Sequence, residues 1–167
     1  MKLATKRHLA CAGILAAFTV AEFAAAQTLA KEGRYDFTAC LSGVASPVAF
    51  SKTHFGYSYE ATGTLRSNLP GGIMDNATFR CVGLNTSLGG KNSQNTLCEA
   101  VDHDGDKQLA YLVLGSDGKV TREVLAGTGK FEGMQMNGIL VPLGSYPIIK
   151  PGTFQNCNHQ TGTYKLK

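Results

Sequence analysis

The chain has no tryptophan, and charged side chains make up only 17% of it. Its basic residues are scattered and form no cluster that could track a phosphate backbone, which excludes a nucleic-acid partner. There is no Gly-x-Ser-x-Gly elbow to present a hydrolase nucleophile. There is also no Cys-x-x-Cys pair and no Cys/His knuckle, so a structural zinc site is excluded. After residue 26 no long apolar stripe of helical period occurs, which argues against a helical bundle.

What is present begins with an export signal. Lys2, Lys6 and Arg7 precede an apolar run from about Leu9 to Val20, and Ala24-Ala25-Ala26 offers small residues for cleavage before Gln27. The run falls short of the about 20 residues that a membrane-spanning helix needs. Residues 1–26 are therefore expected to be a secretory signal peptide, and residues 27–167 a single domain working in the periplasm or outside the cell. Loss of the signal removes Lys2, Lys6, Arg7 and Glu22 and lowers the formal charge from +4 to +2. Cys11 goes with it. It is a poor lipidation site, because the apolar run mostly follows it.

Period-two alternation dominates the remainder, broken by Gly, Asn, Asp and Ser clusters, and this is an all-β pattern. The first strand is expected over 34–42. The second, over 55–66, places Phe55, Tyr57, Tyr59, Ala61, Gly63 and Leu65 on one face. Further strands are expected over about 77–85, 96–103, 107–114, 119–126, 131–140 and 162–167, with a proline-bearing loop from Pro142 to Pro151 before the last. Eight strands joined by short turns close most economically as an antiparallel up-and-down barrel of calycin-like form, because closure removes exposed edges.

Four cysteines follow the signal: Cys40, Cys81, Cys98 and Cys157. An even number in an exported domain reads as two disulfides, with three connectivities open. If Cys81 opposes Cys98, Arg80 faces Glu99, Thr78 faces Val101, Val82 faces Leu97, and the turn centre falls between Gly89 and Gly90. This agreement favours Cys81–Cys98. Cys40–Cys157 then joins the first strand to the segment leading into the last.

The run Gly127-Thr128-Gly129-Lys130-Phe131-Glu132-Gly133-Met134, continued by Asn137-Gly138, resembles the allene oxide cyclase and dirigent barrel group. Arg80-Cys81-Val82-Gly83, the stretch from Cys98 to Lys107 and the ending Gly162-Thr163-Tyr164 resemble that group's bacterial exported members. The resemblance implies an eight-stranded barrel with a largely apolar central cavity, no organic cofactor, and assembly into homodimers or homotrimers. It places no catalytic residue on this chain.

The alternation directs Phe37, Tyr57, Tyr59 and Tyr164 into the barrel, puts Arg122 among inward Val120 and Val124, sets Met134 and Met136 on one face, and makes Tyr111 their neighbour. Such a lumen suits a flat, partly anionic or phenolic apolar ligand. The same side chains could simply fill a small barrel, and Arg122 could equally sit at the rim with Asp or Glu as partner. Asp102-His103-Asp104-Gly105-Asp106 has carboxylates at alternate positions, but glycine stands fourth and Val113 twelfth, which does not match a calcium loop. On a strand, His103 and its flanking aspartates would point to opposite faces. Three functions follow as expectations. The first is an exported barrel binding a small apolar or aromatic molecule in its lumen. The second is a cofactor-free cyclase or isomerase using Arg122, Tyr57 or Tyr59. The third is an interaction module with a filled barrel.

Overall fold

The computed structural model describes residues 29–115 and 118–167, so the expected signal lies outside the described residues. Its strands are β1 (Glu32–Ser51), β2 (His54–Ser67), β3 (Ala77–Leu88), β4 (Lys91–Val101), β5 (Lys107–Leu114), β6 (Val120–Gly127), β7 (Gln135–Ser145) and β8 (Thr153–Lys165). A short 3-10 turn, Gly129–Phe131, joins β6 to β7. The ladder order is β6-β5-β4-β3-β2-β1-β8-β7, and every pairing is antiparallel. The two ends of that order, β6 and β7, lie against each other without forming a ladder. The result is a nearly closed eight-stranded barrel.

Several strand limits differ from the sequence expectation. Pro142 lies in β7, where a bulge between Pro142 and Ser145 absorbs its missing N–H, so the loop starts after Ser145. Phe131 leaves the seventh strand for the 3-10 turn. The last strand begins at Thr153 and contains Cys157, because polar Gln155, Asn156 and Asn158 alternate across the ladder without an apolar signature.

Both disulfides form as expected, Cys40–Cys157 and Cys81–Cys98. The β3–β4 register pairs Arg80 with Glu99, Thr78 with Val101 and Val82 with Leu97, and Gly89 and Gly90 turn the chain at positive φ. Arg80 nevertheless makes its ion pair on its other side, with Nε 2.7 Å from Glu60 Oε1 on β2, while Glu99 pairs with Lys107 at 3.1 Å. The two cross-links face opposite ways. Cys81 and Cys98 point into the lumen, while Cys40 alternates outward between Ala39 and Leu41.

The inward face has a repeated device. Phe154 stands opposite Gly43, Phe79 opposite Gly63, and Tyr59 opposite Gly83. A Cβ on any of these glycines would collide with the ring across from it. Each ring lies flat across the neighbouring strand, where only glycine leaves room.

One end of the barrel is solid. Tyr35 and Phe37 stack at 5.2 Å, and around them pack Leu65, Met134, Met136 and Tyr164. Beneath them the loop after β2 inserts Ile73 and Met74, and Phe131 is fully buried. Truncating Phe131 to alanine is expected to cost about 3–5 kcal/mol in urea unfolding, since it empties a fully buried aromatic site. The disulfides should contribute unequally. They enclose 117 and 17 residues of sequence separation, so pairwise Cys→Ser removal should cost about 5 kcal/mol for Cys40–Cys157 and about 3 for Cys81–Cys98 in the same measurement.

Candidate functional site

The glycine-rich run after β6 closes the solid end. Gly129 has φ +52°, and a Cβ there would collide with the Asp106 carboxylate. The Lys130 N–H donates to Asp106 Oδ2 at 3.1 Å, and the Lys107 N–H donates to Thr128 Oγ1 at 2.8 Å. Asp102 is buried, and its Oδ1 accepts the N–H groups of Asp104 and Asp106, both at 3.0 Å. The Lys130 ammonium lies 2.7 Å from Asp102 Oδ2 and also bonds Asp104. The motif that carried the family resemblance is thus a latch that holds Phe131 in the core.

The acidic run is a turn rather than a strand, so Asp102, His103 and Asp104 converge after all, with one ligand atom of each within 4.8 Å of the others. His103 Nε2 lies 3.3 Å from Asp104 Oδ1. The two carboxylates already share the Lys130 charge, which leaves little negative potential for a cation.

The other end of the barrel is hollow. An outer cavity of about 740 Å³ opens there, walled by Tyr57, Tyr59, Leu112, Leu114, Leu140 and Phe154 among others. Tyr59 stands edge-on to Phe154 at 5.7 Å and tilted to Tyr57 at 6.3 Å. Its hydroxyl lies 2.5 Å from Thr96 Oγ1 and accepts Gln94 Nε2–H at 3.0 Å. Burial pushes its pKa up, with the two hydrogen bonds acting the other way, so Tyr59 is a neutral phenol at physiological pH. Asn85 donates from Nδ2 to the Tyr57 hydroxyl at 2.5 Å, while its Oδ1 is enclosed without a partner.

Below the outer cavity lies an inner chamber of about 110 Å³, bordered by Arg122, Gln108, Gln160, Asn158, Thr96 and the Cys81–Cys98 bridge. The two spaces share the walls of Leu41, Tyr59, Gln94, Leu112, Leu140 and Asn158. Arg122 points inward from β6 and is enclosed by protein, yet keeps some accessible surface beside the chamber. Its Nη2–H donates to Gln160 Oε1 at 2.5 Å, its Nη1 lies 3.9 Å from Met136 Sδ, and its carbon centre sits 5.8 Å from the Phe37 ring centroid. Burial lowers its pKa, while Tyr35 acts in the opposite direction. The guanidinium still stays protonated.

The eight lumen candidates therefore fall into three groups. Tyr57 and Tyr59 wall the outer cavity and Arg122 borders the inner chamber. Phe37, Met134, Met136 and Tyr164 are packed in the solid end. Tyr111 points outward, its hydroxyl donating to Asn95 Oδ1 at 2.8 Å. The expected lumen position fails because the segment 107–114 is apolar on both faces, and the inward residues are Gln108, Ala110, Leu112 and Leu114. Sequence reasoning also missed Phe154, which lies outside the expected last strand. His159 was ungrouped in the sequence. It reaches Asp36 Oδ1 at 2.7 Å, and Asn68 donates to the same atom at 2.6 Å. Comparison with protein-family models, with curated proteins and with solved structures gave no match. The resemblance to the allene oxide cyclase and dirigent group therefore rests on the short motifs alone.

Two measurements follow from the charged groups. Lys130 holds the Asp104 carboxyl below its ordinary range, and Lys130 itself is raised, since Asp102 and Asp104 outweigh its burial. A lowered carboxyl stabilises the fold above its ordinary pKa of about 4, and a raised ammonium does so below its ordinary pKa of about 10.4. The gap in thermal midpoint between wild type and Lys130→Met should be widest between those limits. It should close as the pH falls through the Asp104 value or rises through that of Lys130. Separately, Arg122→Met should leave unfolding stability unchanged or raise it, by up to about 4 kcal/mol, because it removes a largely enclosed charge that has no counter-ion among the described residues. A loss of that size in urea unfolding would make Arg122 a structural residue.

Proposed function

We propose that this protein holds a small apolar or aromatic molecule in the outer cavity of its barrel. The observation that carries this reading is the division of the lumen. One end is packed to full burial around Phe37 and Phe131, while the other keeps a space of about 740 Å³ walled by tyrosine, leucine and phenylalanine. A chain that fills one half of its barrel so completely has the means to fill the other, and an apolar concavity with a few polar groups is what a small-molecule site requires. Two disulfides, and the absence among the described residues of a helix long and apolar enough to cross a membrane, are consistent with work outside the cytoplasm.

Tyr59 favours one further reading. A neutral phenol held by Thr96 and Gln94 at the cavity wall could donate a proton or a hydrogen bond to a reactive intermediate, as a cofactor-free cyclase or isomerase would need. Tyr59→Phe separates the two readings, since it removes the donor and leaves the ring.

Native mass spectrometry of the protein from its own compartment should show an excess mass that disappears on denaturation. Leu114→Trp, which narrows the outer cavity, should reduce that mass and weaken the thermal stabilisation by a neutral aromatic probe such as 2-naphthamide. A saturating ligand at about a hundred times its dissociation constant stabilises by about 2.7 kcal/mol, well within reach of a thermal shift. A protein that is always bare and is not stabilised by any such probe would overturn the reading.

A further inference from the structure

The inner chamber contains a charge without an answer. Arg122 is the one cation turned into the lumen among the described residues, and no carboxylate meets it. Its neighbours are the Gln160 amide oxygen, the Met136 sulfur, the Phe37 ring and the Tyr35 phenol. None of these carries a negative charge at neutral pH. Gln108 brings no charge either, its neutral amide donating from Nε2 to the sulfurs of Met134 and Met136 at 3.1 and 3.3 Å. A guanidinium has five N–H donors in a planar fork, and the two contacts made here, one of them a long approach to sulfur, leave the fork largely unfilled.

Taking such a charge out of water without a partner costs several kcal/mol. The chain contains a ready alternative, since the flanking inward residues of β6 are Val120 and Val124, and a third apolar side chain would continue the pattern. Packing does not require an arginine at this position. The cost becomes intelligible when an anion completes the site.

We infer that the lumen accepts an organic anion head first, its carboxylate against Arg122 in the inner chamber and its aromatic body in the outer cavity. This rests on the reading of the outer cavity as a binding site and adds the charge, the orientation and the chemical class of the ligand. The inner chamber, about 110 Å³, has room for a carboxylate, and its lining of neutral amides, hydroxyls and apolar groups contains no carboxylate of its own. The shared walls of Tyr59, Leu112 and Leu140 place the apolar body next to the head. The rings of Tyr57, Tyr59 and Phe154 offer it aromatic surface. A carboxylate accepts two parallel N–H bonds from a guanidinium, and in a site sheltered from water such a pair discriminates strongly against an uncharged analogue. Cations of the same shape are repelled.

The test uses a matched pair of probes, 2-naphthoate and 2-naphthamide, which share the apolar body and differ in charge. Each is titrated calorimetrically, near neutral pH and at fixed salt, into the oxidised wild-type protein, Arg122→Met and Arg122→Lys. Wild type should bind the naphthoate about tenfold or more tightly than the amide, as expected for hydrogen bonds to a charged group. Arg122→Met should bring the ratio to one or below while still binding the amide, which also shows that the variant is folded. Arg122→Lys should keep part of the preference. Equal affinities in wild type, or a preference that survives Arg122→Met, would overturn the anion while leaving the cavity as a site. Acetate binding as tightly as naphthoate would assign the chamber to small anions and overturn the aromatic amphiphile. Failure of both naphthyl probes to bind would overturn the cavity reading itself, and this inference with it.

Discussion

Pairing between the first strand and the last is the constraint on which the rest of this structure depends. β1 runs against β2 on one side and β8 on the other, from Glu32 opposite Lys165 to Val44 opposite Thr153. Without that second ladder the sheet would have two open edges far apart in sequence, and its inward residues would have nothing to enclose. Cys40–Cys157 ties this ladder from outside. Closure then costs little elsewhere. The remaining edges, β6 and β7, are neighbours in sequence, and the short turn through Phe131 holds them side by side.

Closure defines a lumen but does not decide how much of it is filled. That is settled by the size of the inward side chains along each strand. Towards the latch they are large and converge from several strands on Phe37 and Phe131. Towards the opposite mouth the rings of Tyr59 and Phe154 lie against the wall, across from Gly83 and Gly43, and leave the space between them open. The same alternation therefore builds a solid base and a hollow top. The bridge of Cys81 to Cys98 faces the boundary between them, beside Arg122 and the amides of Gln108 and Gln160. Polar groups are gathered where the packing changes.

The division explains why some readings of the sequence were available and others were not. The β3–β4 register could be read directly, because a cysteine pair, a charge pair and a glycine turn lie at mutually consistent distances along one hairpin. The charge pair shows the limit of that reasoning. Register placed Arg80 opposite Glu99, but a residue in a sheet has two lateral neighbours, and Glu60 on the other side took the arginine. Tyr111 is expected in the lumen but points outward, since its strand is apolar on both faces and alternation there does not choose a side. β8 was read too short because its polar residues satisfy one another and the neighbouring strands rather than alternating with apolar ones.

By itself the sequence determined the class of fold and the pairing of Cys81 with Cys98, because these follow from a period of two and from distances along a single hairpin, and it left Cys40 and Cys157 to each other. The tertiary structure alone decided that Phe37, Met134, Met136 and Tyr164 are packing, that Tyr57 and Tyr59 line a space, and that Arg122 faces the lumen with no counter-ion among the described residues. These depend on which side chains meet across the barrel from strands distant in sequence. Pattern along the chain does not carry that information, since an inward tyrosine reads the same whether its neighbour across the lumen is a phenyl ring or nothing at all.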